Sequence, residues 1–357
     1  MGDLTPGIPR ETGRVAWIDM MRGIAILLMI LCHLSMYGSF PYSLQKLIYV
    51  FHVPVFFFVT GCVEHFDLPV GKFAGKKAKA LLVPYFILFF LSRHLFLWDH
   101  LDDLPDIFFR LITGLNVGPL WFLPTLFFTE LLFRVIYDRS EKRFFCRVVL
   151  LSIAGIAINR LVLPVCWFHR EFLNFFWHLD VVPTVLFFMY LGHVVFRNGL
   201  LCRIAQTPKY FYGAAFLCLL LTAASGKLND FVDIHVGRYG LFPYFYVGAC
   251  AGIFLTAFFS LFLETHKVGI LSKLLVLAGK NSMVLLAFHW LFGGWISELL
   301  GRAEKVCQFE INGYVRVYAV FLASILMTVP VSYLINRYCP YVIGRYKKTG
   351  KVLPRQS

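Results

Sequence analysis

The sequence predicts an all-α, polytopic integral membrane protein with about ten transmembrane helices. Of the 357 residues, 59% are hydrophobic and 15% are charged, and the mean hydropathy is +0.71. A soluble protein of this length needs more polar residues than that to cover its surface. Apolar runs of about 20 residues, long enough to cross a bilayer, recur along the chain. These observations exclude a soluble globular fold.

Ten runs meet the length criterion, and we expect one membrane domain over residues 16–335 between cytoplasmic tails at 1–15 and 336–357. The first run follows Arg10 and Arg14 and has no small-residue cleavage site, so we expect a spanning helix rather than a secretory signal. The fifth and sixth runs are interrupted by ionisable residues such as Arg160 and Asp180. The predicted spans are residues 16–37, 46–63, 81–97, 119–136, 148–165, 176–196, 210–225, 244–263, 280–299 and 314–335.

The distribution of positive charge tests this count independently. Of the 34 Lys and Arg residues, 22 fall in the segments assigned to the inner side and 7 in those assigned to the outer side. This alternation is the positive-inside pattern, and it places both termini in the cytoplasm. The net charge of +14 is therefore explained mainly by topology, and we expect no nucleic-acid partner.

The cysteines and glycines do not form a known site motif. The nine cysteines are scattered through apolar runs without a C-x-x-C pair, so we expect neither a disulfide framework nor a metal site. The sequence also has no glycine-rich phosphate loop and no G-x-S-x-G motif. No segment of the sequence thus resembles an appended soluble domain.

The first span has the most informative set of such residues. Asp19 and Arg22 are three positions apart and can form an ion pair at the inner rim. His33 follows Arg22 by eleven positions, which places both residues on one helix face, about 16 Å apart in depth. Ionisable groups inside a membrane are costly and therefore usually functional. The alternative is that His33 only forms a hydrogen bond between helices.

Two further histidines are predicted at similar depth. His52 precedes Pro54 in the second span, and it either serves the reaction or bonds between helices at a proline bend. His289 follows Asn281 and Ser282 in the ninth span and lies on nearly the same face as Ser282, about 10 Å deeper. We expect the three imidazoles to share one layer, with His289 orienting the substrate.

Two residues of the fourth span are weaker candidates for substrate binding. Glu130 is predicted near the middle of the bilayer, where an ion pair with Arg134 at i+4 is an equally good explanation. Trp121 at the outer edge can stack on a sugar ring, although tryptophans at membrane interfaces are common without such a role.

This set of motifs resembles the acyltransferase 3 family of membrane O-acyltransferases, and within it the fucose 4-O-acetylase-like branch. The matching elements occur in family order along nearly the whole chain. They are Asp19-x-x-Arg22-Gly23-x-Ala25 with His33, Phe51-His52-x-Pro54 with Gly61, Leu81-Leu-Val-Pro84-Tyr85 after a Lys-rich segment, Pro119-Leu-Trp121, and Gly279-x-Asn281-Ser282 with His289.

The resemblance implies transfer of an acetyl or short acyl group from cytoplasmic acetyl-CoA to a hydroxyl of a cell-envelope carbohydrate or its lipid-linked precursor. It also implies a multi-pass protein of the bacterial inner membrane, with His33 as the catalytic histidine. A neutral imidazole can act as a general base or can carry the acyl group itself, and both routes remain open. We predict that three further residues take part in catalysis, namely Asp19, Arg22 and His289. The predicted substrate-binding residues are His52, Glu130, Trp121, Asn281 and Ser282.

The phosphates of CoA need cations on the inner side. Arg22 lies at the inner end of its helix, and the loop before the third span carries Lys76, Lys77 and Lys79, where many family members have Arg-x-x-Arg. These lysines equally satisfy the positive-inside pattern without binding a ligand.

A proton-coupled transporter or flippase is the main alternative function, because buried ionisable groups also form proton relays and substrate paths. The chain has no repeated half with matching broken helices, which favours the enzyme. A noncatalytic scaffold does not explain three histidines and a glutamate in the spans.

Overall fold

The computed structural model describes residues 15–93, 104–162 and 175–346. Within these ranges the regular secondary structure is helical, apart from an isolated bridge between Asp233 and Arg238. The helices, in chain order, are α1 (Ala16–Leu34), α2 (Tyr42–Cys62), α3 (Val70–Arg93), α4 (Leu104–Thr113), α5 (Phe122–Ile136), α6 (Glu141–Ala157), α7 (Val182–Arg197), α8 (Leu200–Ala205), α9 (Pro208–Leu228), α10 (Phe242–Thr265), α11 (Gly269–Lys280), α12 (Ser282–Cys307) and α13 (Gly313–Tyr338).

The prediction of an all-α polytopic membrane protein is confirmed. Nine segments of the described ranges are long and apolar enough to cross a membrane. Helix α3 is not among them, because lysines occupy its first three turns, but it covers the described part of the third predicted span. Each of the ten predicted spans thus overlaps a helix within the described residues. We keep the terms inner and outer for the two sides that the charge pattern predicts.

Three differences from the predicted bounds affect the site or the C-terminal tail. Helix α1 ends at Leu34, so His33 lies in its last turn, nearer the outer end than a span over 16–37 implies. The fourth span is preceded by α4 and by a 3₁₀ turn over Gly118–Trp121, and α5 itself has 15 residues. At the other end of the chain, a 3₁₀ turn over Pro340–Ile343 brings part of the predicted C-terminal tail onto α3, where Gly344 approaches the backbone of Ala80.

Most of the two predicted tails and two internal segments lie outside the described residues. Residues 1–14 and 347–357 of the predicted tails, and residues 94–103 and 163–174 between spans, lie outside the described residues. The last residues of the third and fifth predicted spans belong to these segments, so their outer ends stay predictions.

Glycines bring two helix pairs into backbone contact. Gly61 of α2 lies against the carbonyl of Met189 in α7, and Gly192 of α7 lies against the carbonyl of Phe58. The reciprocal contacts leave no room for a Cβ at either glycine. In a membrane, such small residues are what allow helices to approach closely. Gly61 therefore has a packing role within the motif that the sequence singled out.

A second glycine pair positions the first helix. Gly23 of α1 lies against the carbonyl of Leu275 in α11, and Gly279 lies against the carbonyl of Asp19. The contact locks the inner half of α1 against α11. The contact thereby fixes the position of Arg22 relative to the start of α12. Arg22 and the start of α12 both contribute to the inner end of the site.

Candidate active site

A cavity of about 820 Å³ lies among α1, α2, α3, α5 and α12. Its lining includes Arg22, Lys280 and Arg345 at the inner end and Asp233 and His235 at the outer end. A cavity of this size is large enough for a small-molecule ligand. One continuous space therefore connects residues from both ends of the spanning helices.

His33 lines this cavity and is hydrogen bonded to a second histidine. Its Nδ1 lies 3.0 Å from Nε2 of His289, and the two ring centroids are 5.2 Å apart. His289 is buried, with 1% of its surface exposed. It does not line the cavity, because His33 lies between it and the cavity. The structure thus brings together two of the predicted catalytic residues, which are 256 positions apart in the chain.

Two backbone carbonyls fix the tautomer of His289, and His289 in turn fixes that of His33. Nδ1 of His289 lies 2.9 Å from the carbonyl oxygen of Leu286 and 3.1 Å from that of Leu285. Because a carbonyl can only accept, Nδ1–H of His289 must donate, and Nε2 of the neutral ring is then an acceptor. His33 must in turn donate its Nδ1–H to His289. The lone pair of His33 is therefore on Nε2.

His52 also lines the cavity and is held in the same tautomer. Its Nδ1 donates to the carbonyl oxygen of Ile48 at 2.9 Å, and its ring lies edge-on to Tyr49 at 5.1 Å. Its Nε2 is consequently an acceptor. His33 and His52 thus both reach the cavity, whereas His289 stands behind His33.

The predicted ion pair at the inner rim is present. Arg22 Nη1 lies 3.6 Å from Asp19 Oδ1, and the arginine side chain is 26% exposed at the cavity wall. Asp19 is buried at the contact with α11. The carboxylate therefore orients the guanidinium at the inner end of the cavity.

The junction between α11 and α12 forms the rest of the inner end. Asn281 and Ser282 line the cavity there, and Asn336 Nδ2 donates to Asn281 Oδ1 at 2.8 Å. Arg345 donates to the carbonyl oxygen of Lys280 at 2.6 Å and to the side-chain oxygen of Asn336. Sequence reasoning missed Arg345, because in a basic tail it was explained by topology. Lys280 lies within the Gly279-x-Asn281-Ser282 motif, but the sequence analysis assigned it no role.

The loop lysines do not share one environment. Lys77 Nζ lies 2.5 Å from Glu130 Oε1 and 2.9 Å from Glu64 Oε2, and it lines the cavity. Lys76 and Lys79 are exposed on other faces of α3. The positive charge of Lys77 is thus matched by two carboxylates that are each 4% exposed at the side chain.

The alternative ion pair within α5 is wrong. Arg134 does not pair with Glu130; its guanidinium donates to the carbonyl oxygens of Phe66 and Leu68. The i+4 spacing allows the pair, but the turn after α2 offers Arg134 unpaired carbonyls, and Lys77 reaches Glu130 from α3.

Replacing Lys77 with Met is expected to destabilise the protein, because it removes the ammonium group that contacts the buried carboxylates of Glu64 and Glu130. Breaking such a group costs about 3 kcal/mol, at the lower end of the usual range because Lys77 is 21% exposed. The measurement is the Tm of the purified variant in detergent. Lys76→Met, one position away and exposed, is the matched control and should leave the Tm unchanged. Equal Tm values for the two variants would contradict this assignment.

Trp121 marks the outer end of the cavity. It is 7% exposed, and its ring lies 5.1 Å from that of His178 and 5.4 Å from that of His235. An interfacial tryptophan would face lipid, so burial against two imidazoles and the cavity disfavours that interpretation. His235 was not a sequence candidate, since its loop carries no family motif.

Comparison with protein families gives one match. A family model described as an acyltransferase domain, Acyl_transf_3, matches residues 15–337, which is nearly the whole chain. Neither the curated proteins nor the solved structures contain a match to this chain.

Proposed function

Because this chain belongs to the acyltransferase 3 family and is a membrane acyltransferase, we propose that it transfers an acetyl group from cytoplasmic acetyl-CoA to a hydroxyl of a cell-envelope carbohydrate or its lipid-linked precursor. His33 is the general base of this reaction. We place this multi-pass protein in the bacterial inner membrane.

The hydrogen bond between His33 and His289 is the observation that supports this proposal most. It holds the imidazole of His33 in the tautomer with a lone pair on Nε2, at the wall of a cavity that reaches both ends of the helices. A general base needs an unprotonated nitrogen within reach of the hydroxyl. A histidine that only joined two helices would need no such cavity.

The charges at the inner end suit the donor. Arg22, Lys280 and Arg345 line the cavity there and can bind the diphosphate of CoA. Lys76 and Lys79 are exposed outside the cavity, near the start of α3, and can bind the additional phosphate of CoA. The pantetheine arm has about twelve bonds and spans roughly 15 Å when extended. Arg22 and His33 are separated by about 16 Å along α1. A donor held at Arg22 therefore presents its thioester near His33.

The chemistry balances at His33. Its Nε2 accepts the hydroxyl proton as the acceptor oxygen attacks the thioester carbonyl carbon, so that a C–O bond forms and the C–S bond breaks. The imidazolium then returns the proton to the departing sulfur. The products are an acetyl ester and CoA, with His33 neutral again. A relay through acetyl-histidine would use the same nitrogen, and trapping labelled acetyl on His33 without acceptor would identify it.

Purified protein in lipid nanodiscs and acetyl-CoA labelled in the acetyl group test the proposal. We expect saturable donor binding and slow release of free CoA, because water can replace the acceptor. A proton-coupled transporter or flippase should show neither, and that result would overturn the enzymatic function. In cells, deletion of the gene should remove O-acetyl esters from an envelope glycan, as measured by mass spectrometry.

A further inference from the structure

The cavity is polarised along its length. Its outer end, in contrast to its inner end, has one charged residue among the described lining residues, the carboxylate of Asp233. Those at the inner end are Asp19, Arg22, Lys77, Glu130, Lys280 and Arg345, of which four are cations. The cations that an anionic ligand needs therefore line the inner end, and the described lining of the outer end has none.

The segment between α9 and α10 holds Asp233 in a fixed place. Asp233 Oδ1 accepts a hydrogen bond from the backbone N–H of His235 at 3.1 Å, and its backbone pairs with that of Arg238. Asn229 closes the segment, because its Nδ2 donates to the carbonyl of Tyr239 and its Oδ1 accepts from the N–H of Leu241. The polar groups at the outer end thus belong to a folded segment with a defined geometry.

Aromatic rings form the adjacent wall. The rings of His178 and His235 are 4.8 Å apart, both lie against Trp121, and His178 Nδ1 donates to the carbonyl oxygen of His235 at 3.0 Å. This bond ties α7 and its preceding turn to the segment that carries Asp233. Trp121 and His235 both reach the cavity.

Burial favours the neutral form of both titratable groups at the outer end. It lowers the pKa of His235 to about 4, so the ring is neutral at pH 7. It raises the pKa of Asp233, while the backbone N–H groups of His235 and Val236 and the positive charge of Arg238, which lies outside the cavity lining, oppose that shift. Together with Trp121, these groups offer acceptors for hydroxyls beside an aromatic surface for the apolar face of a sugar ring.

We propose that the outer end of the cavity is the acceptor subsite and that it selects a neutral polyhydroxylated ring over an anionic one. Asp233 and His235 accept hydrogen bonds from ring hydroxyls, and Trp121 packs against the ring. The carboxylate of a uronic acid would face Asp233 without a cation beside it in the lining. This inference rests on the proposed function, since it names the acceptor of that reaction.

The test uses the full chain in nanodiscs with acetyl-CoA and two sets of probes, neutral methyl glycosides and the matching methyl uronides. Release of CoA is measured with and without each probe. We expect at least one neutral glycoside to accelerate release and its uronide to fail. Equal or better acceleration by the uronides, or acceleration by none of the neutral rings, would overturn the inference.

Asp233→Asn supplies the second arm. It should raise the KM for the active neutral glycoside by about tenfold or more, because a charged acceptor of hydroxyl bonds is lost. Asp230→Asn is the matched control, since Asp230 is exposed in the same segment and outside the cavity lining. CoA binding by both variants checks their folding. An unchanged KM in Asp233→Asn overturns the subsite, whereas the absence of donor turnover in the wild type would overturn the proposed function itself.

Discussion

Replacing His33 with Ala should lower acetyl-CoA turnover by about 10³-fold to 10⁴-fold, the upper part of the range for loss of a general base. The substitution removes Nε2 of His33. Within the His33–His289 pair, this is the nitrogen that has its lone pair available at the cavity wall. Donor binding should persist, because the cations that bind phosphate lie at the inner end, about 16 Å away along α1. The measurement is the release of CoA and, separately, the Kd for CoA.

His266→Ala is the matched control for this variant. Like His33, His266 has its Nδ1 in a hydrogen bond, here to the carbonyl oxygen of Phe262, but it is exposed just after the inner end of α10 and does not line the cavity. Its loss should leave both turnover and binding intact. Turnover in His33→Ala within tenfold of the wild type would show that another group supplies the base.

Replacing His289 with Leu should lower turnover by about 10²-fold while leaving the KM for acetyl-CoA unchanged. His289 stands behind His33, and its Nε2 accepts the hydrogen bond from Nδ1–H of His33, which keeps the lone pair of His33 on Nε2. Without this acceptor the His33 ring loses its fixed tautomer and orientation. Comparison of kcat and KM separates this positioning role from substrate binding.

Two further variants make this second prediction stricter. His289→Gln keeps a side-chain oxygen that can accept from His33 Nδ1–H, so it should retain more activity than His289→Leu. In a His33→Ala background, His289→Leu should cause almost no further loss, because residues that act as a unit are not additive. Independent, multiplicative losses would mean that His289 acts on the reaction by itself.

The inner end illustrates how far a motif predicts a role. The Lys-rich loop predicts a set of equivalent phosphate ligands, yet Lys77 lies between Glu64 and Glu130 while Lys76 and Lys79 are exposed. One residue of rotation on a helix turns a side chain by 100°, so neighbouring lysines face different surroundings. The partners of Lys77 come from α2 and α5, and their approach cannot be derived from the spacing within α3.

The sequence by itself determined the class of the protein. Hydropathy predicts the spans and charge predicts their orientation, because transfer from water to lipid acts on each segment separately. The pair Asp19–Arg22 follows from spacing within one helix, and the structure contains it. His33 was likewise recognisable, since an imidazole in an apolar span is costly wherever the other helices stand.

Only the tertiary structure decided which ionisable groups meet. The bond from His33 to His289, the partners of Lys77 and the segment that carries Asp233 all join residues distant in the chain. These contacts depend on how closely and at what angle the helices cross, and Gly23 and Gly61 contribute to that through backbone contacts. Periodicity and composition are properties of one segment at a time. They therefore predict whether that segment enters the membrane, but not which side chains of different helices come into contact.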